Sequence, residues 1–323
     1  MKIAKRPIVC MLLCLVMLTS RAQQAPAVKY ELVTLNGDIP IKLELAYIPG
    51  TVKNYSAILM LGDLKPDGKN FQLPEWSKNL INEGYMLAAF SAARPPDADS
   101  SRRPQWLFFD QRFAHTYVAG GLFAPQDAGR VIDYLQAKGL ANKFGWIGSS
   151  STGIPGLAVA TAEPRLGAVV AFVSTGAYRQ WLESWHTNGL WLGKTNQLWP
   201  ETEALLNKVD PILHVNTLFP CAVLMVSGGA DKIVDVKTAR AFTNAAKPFY
   251  VSDPERLRLV IYDDYGHNLP HDVVTMYAEN WFRLYLNPDK AAPKPEAAVK
   301  DLNESVKRSS VTGADHKKVM QGD

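Results

Sequence analysis

Three serines, Ser149 to Ser151, stand side by side where one pattern of apolar residues gives way to another. Residues 144–147 before them predict a buried strand, and the small and apolar residues after Gly153 predict a helix. A tight turn from strand to helix exposes one hydroxyl at the end of a sheet, provided that small neighbours such as Gly148 leave room for the backbone. The stretch therefore predicts either a nucleophilic serine or an anion-binding turn at a helix N-terminus.

A serine hydroxyl becomes a good nucleophile only beside a base, and two residues further along the chain have suitable chemistry. Asp231 follows the apolar run 222–226, and His267 follows the apolar run 257–262. An imidazole can take the serine proton, and a carboxylate can orient the imidazole. Each residue alone is a weak signal. The order Ser150, Asp231, His267, with each residue after a predicted strand, predicts a catalytic triad.

Other acids and histidines near these positions have other interpretations. Asp235 is interpreted as the residue that starts a helix, and Asp263 and Asp264 as residues that fix the loop before His267. His271 lies four residues after His267, but it does not come directly after a predicted strand.

The elements that must position these residues alternate along the chain. Residues 30–47 predict an antiparallel hairpin around Asn36 and Gly37. Six short apolar runs then predict strands, at 57–61, 85–90, 144–147, 167–173, 222–226 and 257–262. Helices are predicted between them at 76–82, 127–135, 153–161 and 236–246. We expect an α/β fold in which a doubly wound, mostly parallel, eight-stranded sheet forms one domain at residues 28–286.

Two long stretches do not fit the alternation, and connections of such length commonly carry function. Residues 92–126 are rich in Arg, Pro and Ser, and residues 177–218 predict a small helical cap over the sheet edge. The aromatic residues Trp181 and Trp185, with His186 beside them, either contact substrate or form the core of the cap itself.

The two ends of the chain differ from the middle. Basic residues precede the apolar run 8–18, and small residues stand before Gln23, so residues 1–22 predict a cleaved signal peptide and export, to the periplasm or beyond. The apolar run is too short to span a bilayer, which needs about 20 residues, so no stable membrane insertion is expected after cleavage. Residues 287–323 are polar and predict a flexible tail.

Charge and cysteine content exclude several classes of protein. The chain has 35 Lys and Arg against 31 Asp and Glu. The leader holds four of the basic residues and no acidic one, so 31 of each remain, and an electroneutral protein is a poor partner for nucleic acid. Only Cys221 remains after cleavage, which leaves no internal disulfide and no cysteine-based metal cluster. No metal or cofactor is expected.

The turn around Ser150 and the order of the three residues resemble the α/β-hydrolase superfamily, from about residue 55 to residue 286. The resemblance extends to serine esterases and to dienelactone-hydrolase-like and prolyl-oligopeptidase-like cores. The G-x-S-x-G motif fits Ser150 when Gly148 and Thr152 take its small positions, with Gly153 displaced by one. Ser151 fits as an alternative nucleophile, but Gly148 then no longer stands where the chain leaves the strand.

The resemblance implies an exported serine hydrolase that cleaves carboxylic esters, small or glycan-linked, through an acyl-enzyme. Its oxyanion hole would use the backbone N–H groups of Ser151 and Asp63. The carboxylate of Asp63 is unfavourable there unless it points away or pairs with a cation. Two alternatives stay open: a serine peptidase of the prolyl-oligopeptidase type, and a non-catalytic binding protein on a hydrolase scaffold.

Overall fold

The computed structural model describes residues 27–52, 54–64, 73–92, 110–191 and 197–286. The predicted signal peptide (1–22) and polar tail (287–323) lie outside these ranges, and both stay predictions. Within them, every helix is too short or too polar to cross a lipid bilayer.

A single eight-stranded sheet forms the centre of the molecule. Its strands are β1 (Lys29–Leu35), β2 (Ile41–Tyr47), β3 (Tyr55–Leu61), β4 (Tyr85–Ala92), β5 (Ala141–Ser149), β6 (Leu166–Phe172), β7 (Ala222–Gly228) and β8 (Leu257–Tyr262). They are arranged in the order β1-β2-β4-β3-β5-β6-β7-β8. β2 runs antiparallel to both of its neighbours, and the other pairs are parallel. The predicted fold class is confirmed.

Seven helices flank this sheet in the described residues: α1 (Glu75–Asn82), α2 (Gln111–Ala137), α3 (Gly153–Ala162), α4 (Tyr178–Thr187), α5 (Pro200–Val209), α6 (Val236–Ala246) and α7 (His271–Tyr285). Apolar residues of α2, α3 and α6 pack on one face, and those of α1 and α7 pack on the other. The middle strands are buried on both faces, which explains why their sequences are continuous apolar runs rather than alternating ones.

Helix α2 is much longer than the sequence predicts. The sequence pattern predicts a helix only over residues 127–135. The structure starts α2 at Gln111, where the carboxylate of Asp110 accepts the N–H of Phe113 at 3.0 Å. Pro125 lies inside the helix, and an interior proline costs about 3 kcal/mol. Burial of Val118 and Ala124 on the same helix offsets that cost. Tertiary packing therefore overrides the local signal for a helix end.

The cap lies between β6 and β7 and consists of α4, α5 and the 3₁₀ turn Pro211–Thr217. Buried residues of α4 and α5 form a separate apolar cluster with α3 and the first half of α2, whereas Val215 of the 3₁₀ turn belongs to the main core cluster. Asp210 fixes the start of α4, since its carboxylate accepts the N–H groups of Tyr178 and Arg179 at 2.9 and 3.0 Å. The cap is joined to the sheet domain through α2, α3 and the core contacts of the 3₁₀ turn.

Two adjacent glycines in α2 offer a test of this packing. A methyl group at Gly121 would stand 2.8 Å from Cε2 of Tyr178, a ring that is 1% exposed and whose hydroxyl donates to the Ile154 carbonyl. Gly121→Ala is therefore expected to lower the free energy of unfolding by about 1–3 kcal/mol. Gly120 has no atom within 4 Å of such a methyl, so Gly120→Ala should raise it by about 0.5–1 kcal/mol. Urea unfolding of the two variants gives both values, and equal shifts would contradict the described contact between α2 and α4.

Candidate active site

The turn after β5 holds Ser150 in a strained conformation. Its φ is +51°, in the left-handed region that residues other than glycine rarely adopt. A Cβ at Gly148 would lie 2.4 Å from the backbone of Thr152, and one at Gly153 would lie 2.1 Å from Oγ of Ser174. Both glycines are therefore required for the chain to turn this tightly. Such a turn presents the Ser150 hydroxyl at the edge of the sheet.

Hydrogen bonds within the turn keep this conformation. The N–H of Ser149 donates to Oγ1 of Thr152 at 2.9 Å, and that hydroxyl donates back to the Ser149 carbonyl at 3.1 Å. The indole N–H of Trp146 donates to the Thr152 carbonyl at 3.1 Å. Gly156 allows the indole to lie against α3, because a Cβ there would be 2.1 Å from Nε1. These contacts thus hold Ser150 in its strained conformation.

The structure brings Ser150, Asp231 and His267 together. Nε2 of His267 lies 2.8 Å from Oγ of Ser150, and Nδ1 lies 2.8 Å from Oδ2 of Asp231. An ionised carboxylate can only accept a hydrogen bond, so Nδ1 carries the proton and Nε2 is free to accept the one on Ser150. The Asp231 side chain is 1% exposed and that of His267 is 23% exposed. The buried carboxylate of Asp231 thus orients the imidazole of His267, which is partly exposed to solvent.

The carboxylate of Asp231 is itself held in place. Its Oδ1 accepts the N–H groups of Ile233 and Val234 at 2.8 and 3.0 Å. These bonds satisfy the oxygen that does not face His267. The buried carboxylate therefore has partners on both oxygens, as a buried charge requires.

Residues 228–231, which we call the acid turn, contact residues 263–267, which we call the histidine loop. A Cβ at Gly228 would lie 2.1 Å from the Gly266 carbonyl, and one at Gly229 would lie 2.7 Å from Cα of Asp263. The N–H of Ala230 donates to the Tyr265 carbonyl at 2.9 Å. The two segments thus touch through backbone atoms, and only glycine fits at both contacts.

The proposed oxyanion donors lie at the same edge of the sheet. Leu59 of β3 pairs with Trp146 of β5 in a parallel register, so the residues that follow the two strands, Asp63 and Ser150 among them, lie at the same edge. Ser151 lies in the first turn of a 3₁₀ helix, where backbone N–H groups have no partner within the helix. The Asp63 carboxylate accepts a hydrogen bond from Nζ of Lys42 at 3.1 Å, so it does pair with a cation.

Known proteins share parts of this sequence and of this fold. No family model matches the chain. YitV of Bacillus subtilis (strain 168), a candidate esterase, is 25% identical over 214 residues, which are 64% of this chain and 83% of that protein. The acylaminoacyl peptidase of Pyrococcus horikoshii superposes with a TM-score of 0.60 at 12% identity, over 84% of this chain and 44% of that one. The chain has the fold of the α/β-hydrolase superfamily.

Two further solved structures support the assignment of the α/β-hydrolase fold. Acetyl xylan esterase 1 from Thermoanaerobacterium sp. matches with a TM-score of 0.52 at 16% identity, over 80% of this chain and 88% of that one. TT1662 from Thermus thermophilus matches with a TM-score of 0.54 at 19% identity, over 79% of this chain and 98% of that one. The chain thus spans most of these two proteins but less than half of the acylaminoacyl peptidase.

The remaining predicted residues of this hydrolase fold take other places. Trp181 and Trp185 are 2% and 0% exposed and lie inside the cap cluster. The indole N–H of Trp181 donates to the Ile233 carbonyl at 2.8 Å, which ties the cap to the segment that follows the acid turn. The ring of His186 contacts that of Trp191 in a tilted arrangement, with 4.6 Å between ring centroids. Asp235 accepts the N–H of Lys237 at the start of α6.

Tyr117 is a site residue that the sequence did not indicate. Burial raises the pKa of its phenol, and a hydrogen bond with the side chain of Ser151 lowers it in part. Its ring lies edge-on to Trp181 with 5.3 Å between centroids. The residue stands in the irregular segment 92–126, where a single tyrosine carries no motif. Only the long helix α2 brings it over the Ser150 turn.

Metal-binding chemistry has no evident place in the described ranges. No group of three or more His, Cys, Asp or Glu side chains suited to a metal ion occurs there. Cys221 is buried, and this burial raises the pKa of its thiol to about 12. The thiol is therefore protonated at neutral pH and is a poor nucleophile.

Proposed function

We propose that this chain is a serine hydrolase that cleaves carboxylic esters through an acyl-enzyme on Ser150. The main support is the pair of 2.8 Å distances that join Ser150, His267 and Asp231 in one chain of hydrogen bonds. The esterase and peptidase neighbours of the fold support a serine hydrolase in general terms. The leader sequence supports export to the periplasm or beyond.

The reaction proceeds in two similar halves. Oγ of Ser150 attacks the ester carbonyl carbon while Nε2 of His267 takes its proton, and the C–O bond then breaks as His267 returns the proton to the departing alcohol. A water molecule attacks the acyl-enzyme in the same way, which releases the acid and restores Ser150. Asp231 keeps the imidazole in the required tautomer and stabilises its positive charge. The N–H groups of Ser151 and Asp63 stabilise the oxyanion in both halves.

Peptide cleavage is the second candidate, and a specific observation favours it. Acylaminoacyl peptidase and prolyl endopeptidase structures are among those that share the fold. The chain spans 44% and 35% of these two proteins, so the activities of the whole proteins are not carried over to it. An ester is also the less demanding substrate, because its alcohol departs more readily than an amine. We therefore favour small or glycan-linked esters.

A fluorophosphonate probe tests the serine hydrolase directly. We expect the probe to label the purified protein and the adduct to lie on Ser150 within the tryptic peptide 144–165. Heat-denatured protein, in which the hydrogen bonds of the triad are lost, is the control. Failure of the native protein to react, or an adduct on another residue, would contradict the proposal.

The substrate class is tested by paired assays on the same protein. We expect kcat/KM for p-nitrophenyl acetate to exceed that for N-acyl-amino-acid p-nitroanilides. Longer p-nitrophenyl esters, feruloyl esters and acetylated xylan then define the acyl and alcohol groups. A preference for the anilides would favour the peptidase instead.

A further inference from the structure

An ion-pair network on β2 reaches the loop after β3. Lys42 and Glu44 are two residues apart on β2, so their side chains lie on the same face of the sheet. Nζ of Lys42 lies 2.6 Å from Oε1 of Glu44 and 3.1 Å from Oδ1 of Asp63. The other Glu44 oxygen accepts the backbone N–H of Leu64 at 2.8 Å. The two β2 residues thus hold the side chain of one loop residue and the backbone of the next.

The position of this loop follows from the strand register. Lys42 pairs with Ser91 of β4, and the neighbouring Phe90 pairs with Leu61 of β3. The N–H of Gly62 donates to the Phe90 carbonyl at 3.0 Å, and the φ of Gly62 is +111°. A left-handed residue therefore turns the chain immediately before Asp63, at the sheet edge that holds Ser150.

The side chain of Asp63 raises an electrostatic problem at this place. A negative charge develops on the substrate oxygen in the transition state, and a nearby carboxylate opposes it. A cation paired with Asp63 cancels most of the repulsion between its carboxylate and the developing oxyanion. Hydrogen bonds with Glu44 and Asp63 raise the pKa of Lys42, so its ammonium stays charged over the working pH range.

We propose that Lys42 and Glu44 are positioning residues for the oxyanion hole. Lys42 neutralises the Asp63 carboxylate and draws it away from the reacting carbonyl. Glu44 fixes the loop through the Leu64 N–H, so that the N–H of Asp63 faces the oxyanion. The inference rests on the proposed function, because it concerns the same reaction.

Removal of the cation alone, and of the cation together with the Asp63 carboxylate, tests this role. Lys42→Met is expected to lower kcat for p-nitrophenyl acetate about tenfold with little change in KM, because the oxyanion charge develops only in the transition state. The double variant Lys42→Met/Asp63→Asn should recover most of the kcat that Lys42→Met loses, since no carboxylate then needs a partner. Lys42→Arg keeps the charge and should keep most of the activity.

Salt and a matched lysine provide the controls. Lys29 forms a similar ion pair with Glu31, but it lies at the other end of the β1–β2 pair, so Lys29→Met should leave kcat unchanged. The loss in Lys42→Met should shrink in about 1 M NaCl, where charges are screened within about 3 Å. A Lys42→Met variant as active as wild type, or a double variant as slow as Lys42→Met, would overturn the inference while leaving the proposed function intact. A wild-type protein without labelled Ser150 would overturn both.

Discussion

Ser150→Ala is expected to lose ester hydrolysis by about 10⁴-fold or more, while Ser151→Ala keeps most of its activity. The Ser150 hydroxyl alone lies 2.8 Å from Nε2 of His267. In the proposed mechanism Ser151 contributes its backbone N–H, which alanine retains, and its side chain forms a hydrogen bond with Tyr117. Steady-state kcat for p-nitrophenyl acetate in both variants measures the difference.

The folded state of both variants provides the control for this pair. Alanine at position 150 adopts the same left-handed backbone at a similar cost, so thermal unfolding should shift little from wild type. The reverse result, with Ser151→Ala inactive and Ser150→Ala active, would assign the nucleophile to Ser151. Wild-type activity in both variants would contradict a nucleophilic serine at either position.

Asp231→Asn is expected to lower kcat about 10³- to 10⁴-fold with the fold unchanged. Asparagine retains an oxygen that can accept the N–H groups of Ile233 and Val234. The amide nitrogen then faces Nδ1 of His267 and donates to it, which moves the imidazole proton to Nε2. In that tautomer Nε2 cannot accept the serine proton, so the loss falls on kcat.

Asp235 supplies the matched control for Asp231. It lies four residues later and its carboxylate caps α6 by accepting the N–H of Lys237 at 2.9 Å. Asp235→Asn should therefore keep kcat near the wild-type value, because asparagine is also a good N-cap. The proposed mechanism would be wrong if the two variants lost activity to the same extent.

The core of the fold was predictable because its signals are local and repeated. Parallel strands covered on both faces are continuous apolar runs, and the predicted runs 222–226 and 257–262 correspond to β7 and β8. The carboxyl ends of parallel strands meet at one edge of a sheet. Ser150, Asp231 and His267 each follow a predicted strand, so the sequence alone indicates that they share a site. The structure places His267 within hydrogen-bonding distance of both Ser150 and Asp231.

The remaining parts depend on contacts that no local pattern records. Pro125 and the paired glycines of α2 are typical of a helix end, yet buried neighbours keep the helix intact. The Lys42–Asp63 pair joins residues 21 positions apart, through the register of β2, β4 and β3. The sequence fits either substrate contact or a cap core for Trp181 and Trp185, and only the coordinates show that Trp185 is fully buried.

The backbone contact between the acid turn and the histidine loop separates the site into two modules. The acid–base module is assembled from β7 and β8, whereas the nucleophile comes from a turn on β5. An exchange at position 150, for example to cysteine, would leave the acid–base module intact. The nucleophile can therefore be changed at position 150 without altering the backbone contacts that hold Asp231 and His267 together.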